Sequence, residues 1–180
     1  RILYCYPEEI TDELIQVIKE EDKICKYLDL PIQHASDAIL KRMGRRTTKQ
    51  QLIDIVDKLR TEIPEIALRT TLITGFPGET EEQHEELMEF VDMMEFDRLG
   101  VFTYSPEEDT PAATMPDQIE ESIKEDRQAD LMELQQEIAF ELAEDMVGRE
   151  VLVMIEGKVA DENAYVGRTY KDAPNVDGLI

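Results

Sequence analysis

Gln33 and His34 close the apolar run YLDLPIQH in a chain otherwise rich in acids, and two arginines, Arg45 and Arg46, follow a Met-Gly step shortly after. A further cation, Arg69, lies inside the β-branched run IALRTTLIT. A buried guanidinium is costly unless paired. Asp29, in YLDLPI, is its expected partner, either in a structural ion pair or as part of a ligand contact. The turn GFPGET has the glycines of a phosphate loop, but no Gly-Lys-Ser/Thr follows. Glu79, Glu81 and Glu82 would also repel a phosphate there. Either Gly75 brings its backbone close to a neutral or cationic ligand, or both glycines simply serve the turn. His34 is one of two histidines and is either a hydrogen-bonded structural residue or a base or ligand. His84, among glutamates, reads as solvated surface. Cys5 and Cys25 match no metal spacing and read as reduced and inert.

These residues need a scaffold. RILYCYP reads as a short buried strand. Leu14, Ile15 and Ile18 then mark a helix from Thr11, and YLDLPI is a second strand. Ser36 is a candidate cap for a short helix over 37–43, with Gly44 just past its end. Thr48 with Gln51 and Thr80 with Gln83 form two capping boxes, each ahead of an apolar face. IALRTTLIT and RLGVFTY supply two more strands. Strands alternating with helices predict a parallel sheet with right-handed crossovers. Four strands are too few to close a barrel. Ligands in such sheets sit at the carboxyl ends of the strands, where PEE, PIQHAS, GFPGET and SPEEDT lie. A helix over 119–146 follows, with Ile119, Ile123, Leu131, Leu134, Ile138, Leu142 and Met146 as its apolar stripe. EVLVMIEG and AYVGRTY then read as strands of a small all-β unit.

The chain has 180 residues and a formal net charge of −23, which argues against a nucleic-acid backbone as the main partner. A basic protein surface or a small molecule fits that charge better. No apolar run is long enough for a membrane span and no signal peptide is visible, so a cytoplasmic location is expected and no membrane partner. The opening without Met reads as a cut into a larger protein. From the residues alone there is a site but no reaction.

YLDLPIQHASDAILKRMGRRTT, LRTTLITGFPGET, DRLGVFTYSPEEDTPAA and LMELQQEIA together closely resemble the radical S-adenosylmethionine methylthiotransferases of the MiaB/RimO family. The tail VGRTYKDAPNVDGLI is similar to the branch that modifies an aspartate of protein twelve of the small ribosomal subunit. The resemblance implies an α/β fold. Residues 1–118 would be the last four strands of a TIM-like, radical SAM-type partial barrel. Residues 119–146 would be a connecting helix, and 147–180 the start of an all-β TRAM domain. It implies S-adenosylmethionine and two [4Fe–4S] clusters in the full-length enzyme, whose cluster cysteines lie upstream of Arg1.

In that family a cluster cleaves S-adenosylmethionine reductively, the resulting radical takes a hydrogen from the target carbon, and a methylthio group replaces it. By resemblance Gln33, His34, Arg69, Thr71 and Gly75 line the cofactor pocket. Phe102 lies near the adenine, and Arg45 reaches a carboxylate of cofactor or substrate. No residue here is expected to be catalytic or to bind metal, so the chain alone should be inactive. Residues 147–180 hold six acids and four bases, a net −2. That is a poor tRNA clamp and a plausible seat for a basic ribosomal protein. Two alternatives stand beside this reading: a tRNA methylthiotransferase of the MiaB type and a non-enzymatic acidic binding module. The exposed edge of the first strand is a surface for self-association.

Overall fold

The computed structural model describes residues 1–180. Thr11 accepts a hydrogen bond from the Leu14 amide and starts helix α1, Asp12–Glu20, with Ile15 and Ile18 facing inward. Strand β1, Tyr27–Asp29, leads to helix α2, Asp37–Arg42, and then helix α3, Lys49–Glu62. Strand β2 is Ala67–Thr74, helix α4 is Glu81–Met94 and strand β3 is Arg98–Thr103. Both expected capping boxes are closed, Thr48 with Gln51 and Thr80 with Gln83. Ser36 stands at the N-cap of α2, yet its hydroxyl makes no capping hydrogen bond.

The sheet runs β1-β2-β3, all parallel, with Asp29 beside Arg69 and Arg69 beside Arg98. Successive side chains alternate across the sheet. Leu28, Leu68 and Leu72 join Ile18, Leu52, Leu59, Leu87 and Phe90 in the main core. Tyr27, Asp29, Arg69, Thr71 and Ile73 therefore face the opposite, concave side.

RILYCYP departs from the expected buried strand. Only Ile2 bridges to Leu28, Tyr4 turns to φ +59°, and Tyr4 and Tyr6 are exposed. Ile2 and Cys5 still pack against the core, but β1 is the segment's only strand partner and its tyrosines have no layer over them.

Helix α5, Glu121–Glu144, packs against α4 and β3. Of the expected apolar stripe, Leu131 and Ile138 are buried, whereas Ile123 is exposed. Polar and charged residues complete the docking face. Lys124 donates to the Tyr104 carbonyl, Gln128 to the Val101 carbonyl and Gln135 to the Phe96 carbonyl, at 3.0, 2.6 and 2.8 Å. Strand β3 is an edge of the sheet, and its neighbourhood offers carbonyls that need donors. Strands β4, Met154–Lys158, and β5, Tyr165–Arg168, form an antiparallel pair. Met154 and Ile155 are exposed, not half-buried as expected, because no second layer covers this hairpin. No helix is long and apolar enough to cross a membrane.

Candidate functional site

A cavity of about 640 Å³ opens where β2 and β3 end at their carboxyl termini. Gln33, Arg45, Thr71 and Phe102 line it, with an apolar wall that includes Ile73 and Phe76. An adjoining cavity of about 400 Å³ shares those first four residues and adds Arg69, Tyr4 and Tyr6. Of the seven pocket residues expected from the sequence, the structure thus brings Gln33, Arg45, Arg69, Thr71 and Phe102 to one concave surface. His34 and Gly75 lie elsewhere.

Gln33 sits at φ +71°, a region that costs a non-glycine residue free energy. Two ladder bonds hold it there. Its amide donates to the Thr71 carbonyl at 2.9 Å, and its carbonyl accepts from the Ile73 amide at 2.8 Å. Arg69 Nη1 donates to Asp29 Oδ1 at 3.0 Å and to Thr71 Oγ1 at 3.3 Å, so the expected pair forms inside the concave face. Arg45 donates to the Pro31 carbonyl at 3.2 Å, and its guanidinium lies 5.0 Å from the centre of the Tyr6 ring. Arg46 is exposed and lines a separate surface hollow with Asp54 and Lys58.

His34 is completely buried. Its Nδ1 accepts from the Ser36 amide at 2.9 Å, so Nε2 carries the proton and points to Glu79 Oε2, 3.5 Å away. The ring is therefore a brace between the β1 loop and the GFPGET turn, not a wall of the cavity. Glu79 itself fills the turn. It accepts from the Gly75 and Phe76 amides at 2.8 and 3.2 Å and from Arg127 Nη1 at 3.0 Å. A carboxylate of this chain thus occupies the amide nest of the turn. Burial pushes the Glu79 carboxyl upward, but His34, Arg127 and the Phe76 amide outweigh it and hold it below the usual range.

Gly75 packs against the aliphatic stem of Lys124, whose ammonium bonds elsewhere, to the Tyr104 carbonyl and Glu121. A Cβ at Gly75 would come within 2.3 Å of Lys124 Cγ. His84 is also a correction, because α5 covers it. It is buried, with Nε2 3.4 Å from Asp130 Oδ2. The expectation of solvated surface had placed no helix over α4.

Sequence reasoning missed Arg42, Phe76 and Tyr104, all on the wall of the larger cavity. Arg42 is the last residue of α2 and Arg45 lies beyond Gly44, so no helical spacing joins them; the signal that could have found Arg42 is its place in the cation-rich run KRMGRR. It also missed the tail. Asp177 Oδ2 accepts from the Tyr27 hydroxyl at 2.7 Å, and Asp177 Oδ1 lies 3.5 Å from Arg69 Nε.

The concave surface offers an apolar wall, guanidinium donors, an amide and a hydroxyl, but no nucleophile beside a base. It suits an amphipathic ligand with an aromatic base and a carboxylate. S-adenosylmethionine is of that kind, and these residues fit it. An iron–sulfur cluster does not fit them, since no group of three His, Cys, Asp or Glu converges anywhere in the fold. Cys5 and Cys25 lie toward opposite ends of β1, and burial, then Glu9 and Asp29, push the Cys5 thiol up, away from the thiolate a metal takes.

Comparison with known proteins matches residues 2–91 to the Radical SAM superfamily and residues 147–180 to the TRAM domain. Over all 180 residues the chain is 68% identical to the ribosomal protein uS12 methylthiotransferase RimO of Lachnoclostridium phytofermentans, covering 41% of it. It is 56% identical, again over its whole length, to the protein of the same name from Clostridium botulinum, covering 40%. The chain thus spans about two fifths of the length of the curated relatives it matches. The solved structure of coproporphyrinogen III oxidase (HemN) from Escherichia coli, a radical SAM enzyme, superposes with a TM-score of 0.54 at 21% identity, over 81% of this chain and 33% of that one. That likeness concerns the fold.

Proposed function

This chain belongs to the radical SAM superfamily, and from that premise we propose that it supplies the cofactor- and substrate-facing wall of a methylthiotransferase acting on an aspartate of ribosomal protein uS12. The observation that carries the reading is the 68% identity, over all 180 residues, to a protein of that name. We take residues 1–118 as the carboxyl part of the partial barrel, 119–146 as the connecting helix and 147–180 as part of a TRAM domain. The cofactor would be S-adenosylmethionine, held by Gln33, Arg45, Thr71 and Phe102, with Arg69 at the adjoining hollow. When bound beside an iron–sulfur cluster it supplies the means to remove a hydrogen atom from an unactivated carbon. This chain's share is to orient and to exclude water. The apolar wall of Ile73 and Phe76 keeps the reacting region dry, and Arg45 offers a charge-assisted partner to a carboxylate. The cluster ligands would come from other parts of the protein.

A basic ribosomal protein suits the acidic surface better than tRNA does, and the sparsely paired β1 edge is open to another copy of the chain. The test uses the full-length protein, reconstituted with iron and sulfide and given S-adenosylmethionine, a reductant and either uS12 or tRNA. Mass spectrometry of the products should find one methylthio group on uS12. Modified tRNA beside unmodified uS12 would overturn the proposal.

A further inference from the structure

The other arginines that are not fully exposed have a partner. Arg69 meets Asp29, Arg98 meets Asp172, Arg127 meets Glu79 and Arg168 meets Glu156. Arg60 donates to the carbonyl of Glu95 at the end of α4. Arg42 is different. In a chain with 42 acids it makes no ion pair and no side-chain hydrogen bond, and it lines the larger cavity. Its position is nevertheless built. The guanidinium lies against Gly78, where a Cβ would come within 2.1 Å of Nη1 and 2.7 Å of Cζ. Gly78 also holds φ +77°, so the turn both demands and uses a residue without a side chain.

Arg45 lies just past the end of α2, beyond Gly44, in the same wall, with only the Pro31 carbonyl as acceptor. The one acid among the lining residues, Glu107, is exposed on the rim loop and bonds to neither arginine. Two unneutralised guanidinium groups in a partly apolar cavity call for an anion with fork geometry. Arg42 lines only the larger cavity, while Arg45 is shared with the adjoining one.

We propose that Arg42, with Arg45 beside it, binds the side-chain carboxylate of the residue to be modified, and so makes the site specific for an acidic target. This rests on the methylthiotransferase reading above. Holding a carboxylate by two parallel hydrogen bonds also fixes the carbon next to it, and in an aspartate that carbon is the one the reaction must reach.

The experiment is calorimetric titration of the full-length protein with an acceptor-loop peptide of uS12 carrying Asp or Asn at the target position, and separately with S-adenosylmethionine. The wild type should bind the Asp peptide about tenfold or more tightly than the Asn peptide, as expected for one charge-assisted pair. Arg42→Gln should erase that preference, Arg42→Lys should restore part of it, and neither should change the affinity for S-adenosylmethionine. A preference that survives in Arg42→Gln overturns the inference. So does a loss confined to S-adenosylmethionine, which would give the carboxylate to the cofactor. If the wild type binds neither peptide, the underlying reading falls and takes this one with it, a result distinct from the other two.

Discussion

At the scale of single residues, charge inside an apolar run was the most legible signal. Arg69 could be assigned a partner because a guanidinium in a β-branched strand has few ways to be satisfied, and parallel register puts Asp29 beside it. His34 and His84 were not legible. Their burial depends on a turn and a helix distant in sequence, and nothing local to either histidine reports that cover. Glu79 shows what such cover does to a carboxylate. Its pKa is lower in the fold than in the unfolded chain, where about 4.3 is ordinary. Its contribution to stability is therefore fully present above that value and is lost as pH falls through the lower, folded one. Asp172, also lowered, adds to the same acid limb. Melting temperature should be flat near neutral pH and fall steeply in acid. Glu79→Gln should cost about 3 kcal/mol at pH 7, since it leaves Arg127 with the exposed Glu81 as its only carboxylate beside the carbonyl of residue 79, and should make the acid limb shallower. An acid limb identical to wild type would show that another group sets it.

At the scale of elements, helix starts were legible and helix docking was not. A capping box is written in four consecutive positions, and both were found where they were expected. The docking face of α5 is written in another element's needs. Lys124, Arg127 and Gln135 are buried because the Tyr104 and Phe96 carbonyls and the Glu79 carboxylate require donors, which no apolar stripe reveals. Gly75 is the point of closest approach. Its φ of +71° and the 2.3 Å between a built Cβ and Lys124 Cγ make two separate penalties for a side chain. Gly75→Ala should lower stability by about 2 kcal/mol, roughly half from the backbone conformation and the rest from displacing Lys124. The two parts separate in a double-mutant cycle read from urea midpoints. In a Lys124→Ala background, which removes Cγ and Cδ and leaves only the Cβ at 3.0 Å, most of the steric part should go and the cost of Gly75→Ala should fall toward half. An undiminished cost would mean that contact with Lys124 contributes nothing.

At the scale of the molecule, the tail is part of the barrel's inner surface. Ala173 is buried against Tyr27 and Ala67 at the amino ends of β1 and β2, and Arg98 donates to Asp172 at 2.6 Å. Lys171 reaches Asp97 at 2.8 Å, while Asp97 also accepts from the Leu68 amide. Asp177 goes furthest in, between the Tyr27 hydroxyl and Arg69. The sequence showed Asp-Ala-Pro and Asp-Gly as a family mark without a place, because a contact across 150 residues leaves no local period to read. The consequence is a chain of contacts from the tail to the cavity: Asp177 and Asp29 hold Arg69, and Arg69 holds Thr71. Burial, then the bond to Asp177, push the Tyr27 hydroxyl well above the ordinary phenol range. A group raised in this way contributes stability that is complete below its unfolded pKa of about 10 and lost as pH rises toward the folded value. Docking of the tail should therefore weaken in alkali. Tyr27→Phe should weaken that dependence, leaving the part set by Tyr170, whose hydroxyl burial and then Asp97 also push up. Asp177→Asn should loosen the tail at neutral pH by about 2 kcal/mol, since the half-buried Arg69 guanidinium loses one of its two carboxylates. Hydrogen exchange at the amides of residues 169–177 measures this directly. Protection should fall there in Asp177→Asn while the amides of α3, on the far side of the sheet, stay protected. Equal loss in both regions would show that Asp177 supports the whole fold and gives the tail no docking of its own.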